Sequence, residues 1–320
     1  LPGQVAEAVE NARADRSPQS HVSYGVGEEH RVAFIRRFLM DDGTVRTNPG
    51  RGNPHVVRPM GAIDPRVHVL TFPETKTLLV SFGLHLDCVG GTKFSADYPY
   101  HLTEAAREAL GDDWNVVYLN ACCGNVNHIN VHDRSPQKGY ENSRWIGRSI
   151  AETAIAAHQA AAPIEIDALA AGEATIPCKP REVPAEMLEW AKAQTNDDSG
   201  AASQRKFNEQ TPSRILALAE RAGNTVPSEV IAFRIGPVGL VGLPAEVFVE
   251  IGRDIQRHSL LSPTLVIGLT GGSMGYVPHP RGYDESGYES TFASARYSSE
   301  TPTAWSDAAT RMLNEMAAGM

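Results

Sequence analysis

Trp114-Asn115-Val116-Val117-Tyr118-Leu119 runs without a break into Asn120-Ala121-Cys122-Cys123-Gly124-Asn125. The first six positions are nearly all apolar, the pattern of a strand covered on both faces, and the polar loop follows where that strand must end. The same order recurs around it. Val67 to Phe72 and Thr77 to Phe82 read as strands, Tyr100 to Leu110 as an amphipathic helix, and residues 140–161 as a long Ala-rich helix. Strands alternating with helices predict an α/β fold of layered sheets with flanking helices.

Working outward, residues 4–14 have helix-forming composition, with Ser17-Pro18 closing the segment. A helix so close to the first residue reads as the continuation of something upstream. His21 to Val26 and Arg31 to Met40 read as strands, with a turn at Asp41-Asp42-Gly43. Residues 46–61 carry several Gly and Pro and no apolar period, which predicts a long loop. The pattern changes over about 162–230, a helical and strand excursion. It comprises a strand pair within Ile164 to Pro177, a helix at Pro184 to Ala193, a surface loop from Asn196 to Gly200 and a helix over roughly 203–221. It ends in paired strands at Val230 to Ile235 and Val238 to Leu243. A helix at Ala245 to Arg257, a strand at Thr264 to Leu269, a Gly- and Tyr-rich segment over 270–290 and a helix at 303–318 complete the chain. No internal repeat breaks this order, and 320 residues leave room for one large domain or two ordinary ones.

Totals narrow the function. With 42% hydrophobic residues the chain can bury a substantial core. A net charge of −9 excludes the basic footprint of a nucleic-acid binder; the densest spots, Arg31 with Arg36-Arg37 and Arg46 to Arg51, are short. No run approaches the roughly 20 apolar residues of a membrane span. Cys88, Cys122, Cys123 and Cys178 lack the paired spacing of a thiolate zinc site.

Polar groups concentrate in three loops at strand ends, where open α/β sheets place their sites. His85, after the strand ending at Phe82, could ligate a metal or simply satisfy backbone groups. Glu246, at a strand-to-helix junction, could ligate a metal or cap the helix, and spacing alone favours the cap. Tyr276, Tyr283 and Tyr288 lie among glycines, around a ligand or packed over a loop.

Seven motifs in order are more specific than any one of them. They are Arg36-Arg37, Gly61-Ala62-Ile63-Asp64-Pro65, His85 with Phe94-Ser95-Ala96-Asp97-Tyr98-Pro99, Gly124-Asn125-Val126-Asn127, Gly242-Leu243-Pro244-Ala245-Glu246, Gly275-Tyr276-Val277-Pro278 and Gly287-Tyr288-Glu289. Together they resemble the neutral/alkaline (non-lysosomal) ceramidase family and its shorter bacterial members. The resemblance implies that residues 1–320 form a single, N-terminally incomplete domain with the catalytic-domain fold of that family, and a Zn2+ ion held by two His, a Glu and a Tyr. It assigns His85, Glu246 and Tyr276 to the metal, Tyr288 to oxyanion stabilisation and Arg36 to the active site, where it would hold an anionic part of the substrate or product.

The family's first ligand lies in a His-x-His segment, and no His-x-His occurs in these residues. An upstream segment or another chain is expected to supply that His. Ala121 stands where the family has Ser, Ile35 replaces an Asn, Gly271-Gly272 replaces an Ala-Asn pair, and the family's C-terminal β-sandwich has no counterpart.

The expected activity is zinc-dependent hydrolysis of a C–N amide bond in a small-molecule substrate. Two alternatives compete: a thiol amidase using Cys122 or Cys123 near His128, and a non-catalytic binding subunit. His128 and His132 have zinc-like spacing, but β-branched neighbours make a helix there doubtful, and they read as loop residues; His101 reads as structural.

Overall fold

The computed structural model describes residues 2–14, 16, 21–195 and 212–319. The segment closure at Ser17-Pro18, the loop from Asn196 to Gly200 and the first half of the helix expected from 203 lie outside them.

Alternation along the strands builds two sheets that face each other. Arg66–Phe72 sends Val67 and Val69 to one side, toward Leu102, Ile146 and Ile150 of the helices Tyr98–Leu110 and Tyr140–Gln159. Its Leu70 points the other way, into an apolar layer shared with Val238, Leu240 and Leu265 of the second sheet. The second sheet repeats the pattern: Val230, Ala232 and Val241 turn outward to Ile251, Ile255, Trp305 and Leu313 of the helices Val249–His258 and Thr301–Ala318. The result is a helix–sheet–sheet–helix stack, the layered α/β architecture expected. Each fully buried Val or Leu in these layers contributes about 1.5–3 kcal/mol.

The first sheet has the strand order Ala162–Ile164, Val22–Glu28, Arg66–Phe72, Thr77–Phe82, Asn115–Asn120. The second runs Leu169–Cys178, Val226–Ile235, Val238–Gly242, Thr264–Ile267. The last pair in each is parallel and the others antiparallel. The helical part of the 162–230 excursion, Ala185–Thr195 and Pro212–Ala219, leaves from one strand of the second sheet and returns to its neighbour.

Four local readings are corrected. The WNVVYL strand is an edge strand, and Val117 is 42% exposed rather than covered on both faces. The strands on either side of residues 165–168 do not pair with each other; one joins each sheet. At the start of and within the expected loop 46–61, Val45–Thr47 and Val56–Pro59 flank Arg37–Met40 as a small three-stranded sheet. The expected 31–40 strand is broken, and its first piece, Phe34–Ile35, pairs with Val126–Asn127 instead. Among the described residues no helix is long and apolar enough to cross a membrane.

One buried group in the first sheet has a measurable effect. His68 is 6% exposed, with Nδ1 2.7 Å from the Tyr24 hydroxyl. Burial, then the nearby Arg66, lowers its pKa from 6.5 to about 4. The imidazole is therefore neutral in the fold, while the unfolded chain takes up its proton as pH falls below 6.5. The stabilisation is complete above that pH and lost on acidification toward 4, about 3 kcal/mol at 1.36 kcal/mol per unit. Urea titrations from pH 7 to pH 4 should show His68→Gln losing less stability than the parent by about that amount; parallel curves would refute it.

Candidate metal and catalytic site

Residues from opposite halves of the stack meet at one end of it. His85 follows the strand Thr77–Phe82 of the first sheet. Glu246 and Tyr276 come from two short parallel strands, Glu246–Val247 and Tyr276–Val277, in which they are direct register partners. The capping role that spacing favours for Glu246 is not realised: the helix begins at Val249, after the carboxylate has already turned toward His85.

Gly124 makes this approach possible. A Cβ there would lie 2.5 Å from the Glu246 carbonyl oxygen, so only glycine lets the loop reach the Glu246–Val247 strand. Its N–H bonds the Val247 carbonyl at 2.7 Å. Asn125 then fastens the next helix, accepting from the Val249 N–H at 3.0 Å and donating to Glu250 at 2.9 Å. The Gly124-Asn125 motif therefore positions the site from behind.

At the centre, His85 Nδ1 donates to the Cys123 and Val126 carbonyls at 2.8 and 3.0 Å. That fixes the tautomer and aims Nε2 at Glu246 Oε2, 2.8 Å away, and at the Tyr276 hydroxyl, 3.0 Å away. A ring nitrogen committed to backbone on one side and facing anionic oxygen on the other is the usual setting of a metal-bound His. Imidazole, carboxylate and phenol together form a donor set suited to zinc. His, Cys, Asp and Glu alone form no metal-holding trio among the described residues; the third group that meets His85 and Glu246 is a phenol.

Without a cation a proton must hold these groups together. Burial and Arg36 press the His85 pKa down, yet its contacts with Cys123 and Glu246 prevail and raise it to about 10. Burial pushes the Glu246 pKa up, and its hydrogen bonds with His85 and Tyr276 bring it below the usual carboxylate range. Burial keeps the Tyr276 phenol neutral, its pKa well above the ordinary value.

Arg36 stands behind Tyr276, with its guanidinium carbon 5.2 Å from the ring centre. It is 4% exposed and donates to the Gly124 carbonyl at 2.8 Å. Its Nε lies 2.6 Å from Glu289 Oε1, an ion pair rather than an aligned hydrogen bond. Glu289 also accepts from Arg37 at 3.1 Å and from the Thr47 hydroxyl at 2.5 Å. This carboxylate, wholly buried, anchors the back of the site. It ends the Gly287-Tyr288-Glu289 motif, where nothing in the sequence marks its role. Tyr288, one residue before it, packs edge-on against Tyr276 with ring centres 5.5 Å apart. Glu246, Tyr276 and Tyr288 line a cavity of about 400 Å³.

The other candidates lie elsewhere or are otherwise engaged. Cys122 and Cys123 are buried, and burial drives the Cys122 thiol far above the range where a thiolate forms. His128 is bonded through Nδ1 to Asp87 at 3.0 Å, and His132 is exposed on a loop rather than a helix. His101 contacts Glu104 on its own helix.

Neither a family model nor a curated protein matches the chain. Solved structures do. Neutral ceramidase from Pseudomonas aeruginosa aligns with 99% of this chain and 55% of its own, with a TM-score of 0.70 and 19% identity. A ceramidase complexed with C2 aligns with 97% of this chain and 55% of its own, with a TM-score of 0.68 and 18% identity. The chain thus spans just over half the length of these solved proteins. Over nearly its whole length it shares the fold of the matched part of neutral ceramidase.

Proposed function

We propose that the chain is a zinc-dependent hydrolase of C–N amide bonds. The observation that carries this reading is the convergence of His85 Nε2, Glu246 Oε2 and the Tyr276 hydroxyl within hydrogen-bonding distance, with Nδ1 of the same His held by two backbone carbonyls. The structural likeness to ceramidases supports the choice of bond. Three protein ligands leave a position for water, and an imidazole from another segment or chain is compatible with the same arrangement.

When bound, zinc lowers the pKa of its water toward ~7 and polarises a carbonyl. The remaining work falls to the chain. His85 keeps Nε2 turned toward Glu246 and Tyr276 because Nδ1 is spent on backbone. Glu246 supplies the negative charge that balances a cation. Arg36, compensated by Glu289, holds the Tyr276 phenol in place from behind. Tyr288 borders the same cavity and would donate its hydroxyl to the oxyanion that develops on the attacked carbonyl.

The direct test is to load the protein with zinc, measure the bound metal, and assay a panel of simple N-acyl amides before and after chelation. One tightly held zinc and chelator-sensitive hydrolysis are expected; hydrolysis unaffected by metal removal would refute the reading. Tyr288→Phe should lower kcat by about 10²–10³-fold, the usual cost of one oxyanion donor, with zinc content and melting temperature unchanged. A variant with parental kcat would remove Tyr288 from the chemistry.

A further inference from the structure

Beyond the proposed ligands the cavity lining changes character. Arg214, Arg221 and Arg296 all border it, whereas Glu246 is the one acid among the described lining residues. None of the three arginines makes an ion pair or side-chain hydrogen bond with a described residue. This contrasts with Arg36, whose charge Glu289 already balances. A zinc ion balanced by Glu246 would leave the described lining with an excess of positive charge.

Two further features point the same way. The Arg296 guanidinium lies against the backbone beside Tyr276: a Cβ on Gly275 would sit 3.2 Å from its Nη2 and 2.7 Å from the Ser294 carbonyl oxygen. Gly275, at φ +86°, therefore keeps the space that brings this charge next to the proposed ligand. Ser294, 4% exposed, lines the same cavity with a buried hydroxyl that has no partner among the described residues. A buried hydroxyl without a partner costs about 1–3 kcal/mol and is a ready donor to an incoming acceptor.

We propose that this cavity selects amides that also carry an oxyanion, a carboxylate or a phosphate, with Arg221 and Arg296 gripping the charge and Ser294 donating to it. Arginine forks suit both anions, and about 400 Å³ is near the lower end of small-molecule sites, which favours a compact substrate. The inference deepens the hydrolase reading and rests on it.

Three matched compounds test it: N-hexanoylglycine, N-hexanoylethanolamine phosphate and the neutral N-hexanoylglycine methyl ester. Binding is measured by calorimetry on chelated protein, where the proposed reaction cannot proceed, and turnover on zinc-loaded protein. At least one oxyanion compound should bind about 10-fold or more tightly than the ester, and the tighter of the two identifies the anion. The double variant Arg221→Gln/Arg296→Gln should abolish that difference and leave the ester unchanged. Equal binding of all three compounds, binding of none, or a preference that survives the double variant would overturn the inference. A preserved binding preference with no turnover would instead count against the hydrolase reading and leave the anion subsite standing.

Discussion

Glu246→Gln should yield a folded chain that has lost zinc and, with it, at least about 10³-fold in kcat/KM. Glutamine has nearly the same shape, so the strand pair Glu246–Val247 with Tyr276–Val277 and its backbone bonds remain. What disappears is the one negative charge within 2.8 Å of His85 Nε2. Losing an outer-shell partner costs a metal site about 10–100-fold in affinity or activity, and losing a ligand that also balances the cation's charge costs more. Zinc content by elemental analysis, amide hydrolysis and the far-ultraviolet dichroism spectrum together decide the matter. Native-like dichroism with full zinc and parental hydrolysis would end the assignment of Glu246.

The second large effect concerns folding. Glu289→Ala removes the carboxylate shared by Arg36, Arg37 and Thr47. Arg36 and Arg37 are 4% and 1% exposed and cannot turn to water. Arg37 keeps Glu285 at 2.7 Å, but Arg36 is left with no carboxylate. Removing one partner of a buried ion pair costs about 3–5 kcal/mol, mostly because the remaining charge stays buried. The urea midpoint should fall accordingly with an unchanged slope. Glu289→Gln keeps the volume and some hydrogen bonds, so its loss should be smaller. A shift under about 1 kcal/mol for Glu289→Ala would mean that the arginines find other partners.

How much of this was readable beforehand depended on distance along the chain. The strand Thr77–Phe82 and the helix Tyr140–Gln159 announce themselves through local period and composition, and the structure places both within two residues of the expected bounds. His85, Glu246 and Tyr276 were found through ordered motifs, not spacing: 161 positions separate His85 from Glu246, and no local rule links them. Glu289 stands in one of those motifs, but its role is not legible there because its contact with Arg37 spans 252 positions. The strands Val45–Thr47 and Val56–Pro59 are too short to show alternation, so Gly and Pro around them read as loop. Residues 165–168 carry the chain from one sheet to the other, a change of partner that nothing local encodes.

His85 belongs to one layer of the stack, and Glu246 with Tyr276 to the other. An ion bound by all three would rivet the layers at their rim, while Leu70, Leu240 and Leu265 cement them farther in. Occupancy and cohesion are then linked: free metal at 100 times its dissociation constant adds about 2.7 kcal/mol against unfolding. Loosening the greasy seam between the layers should in turn weaken the grip on the ion, although no residue of that seam touches it.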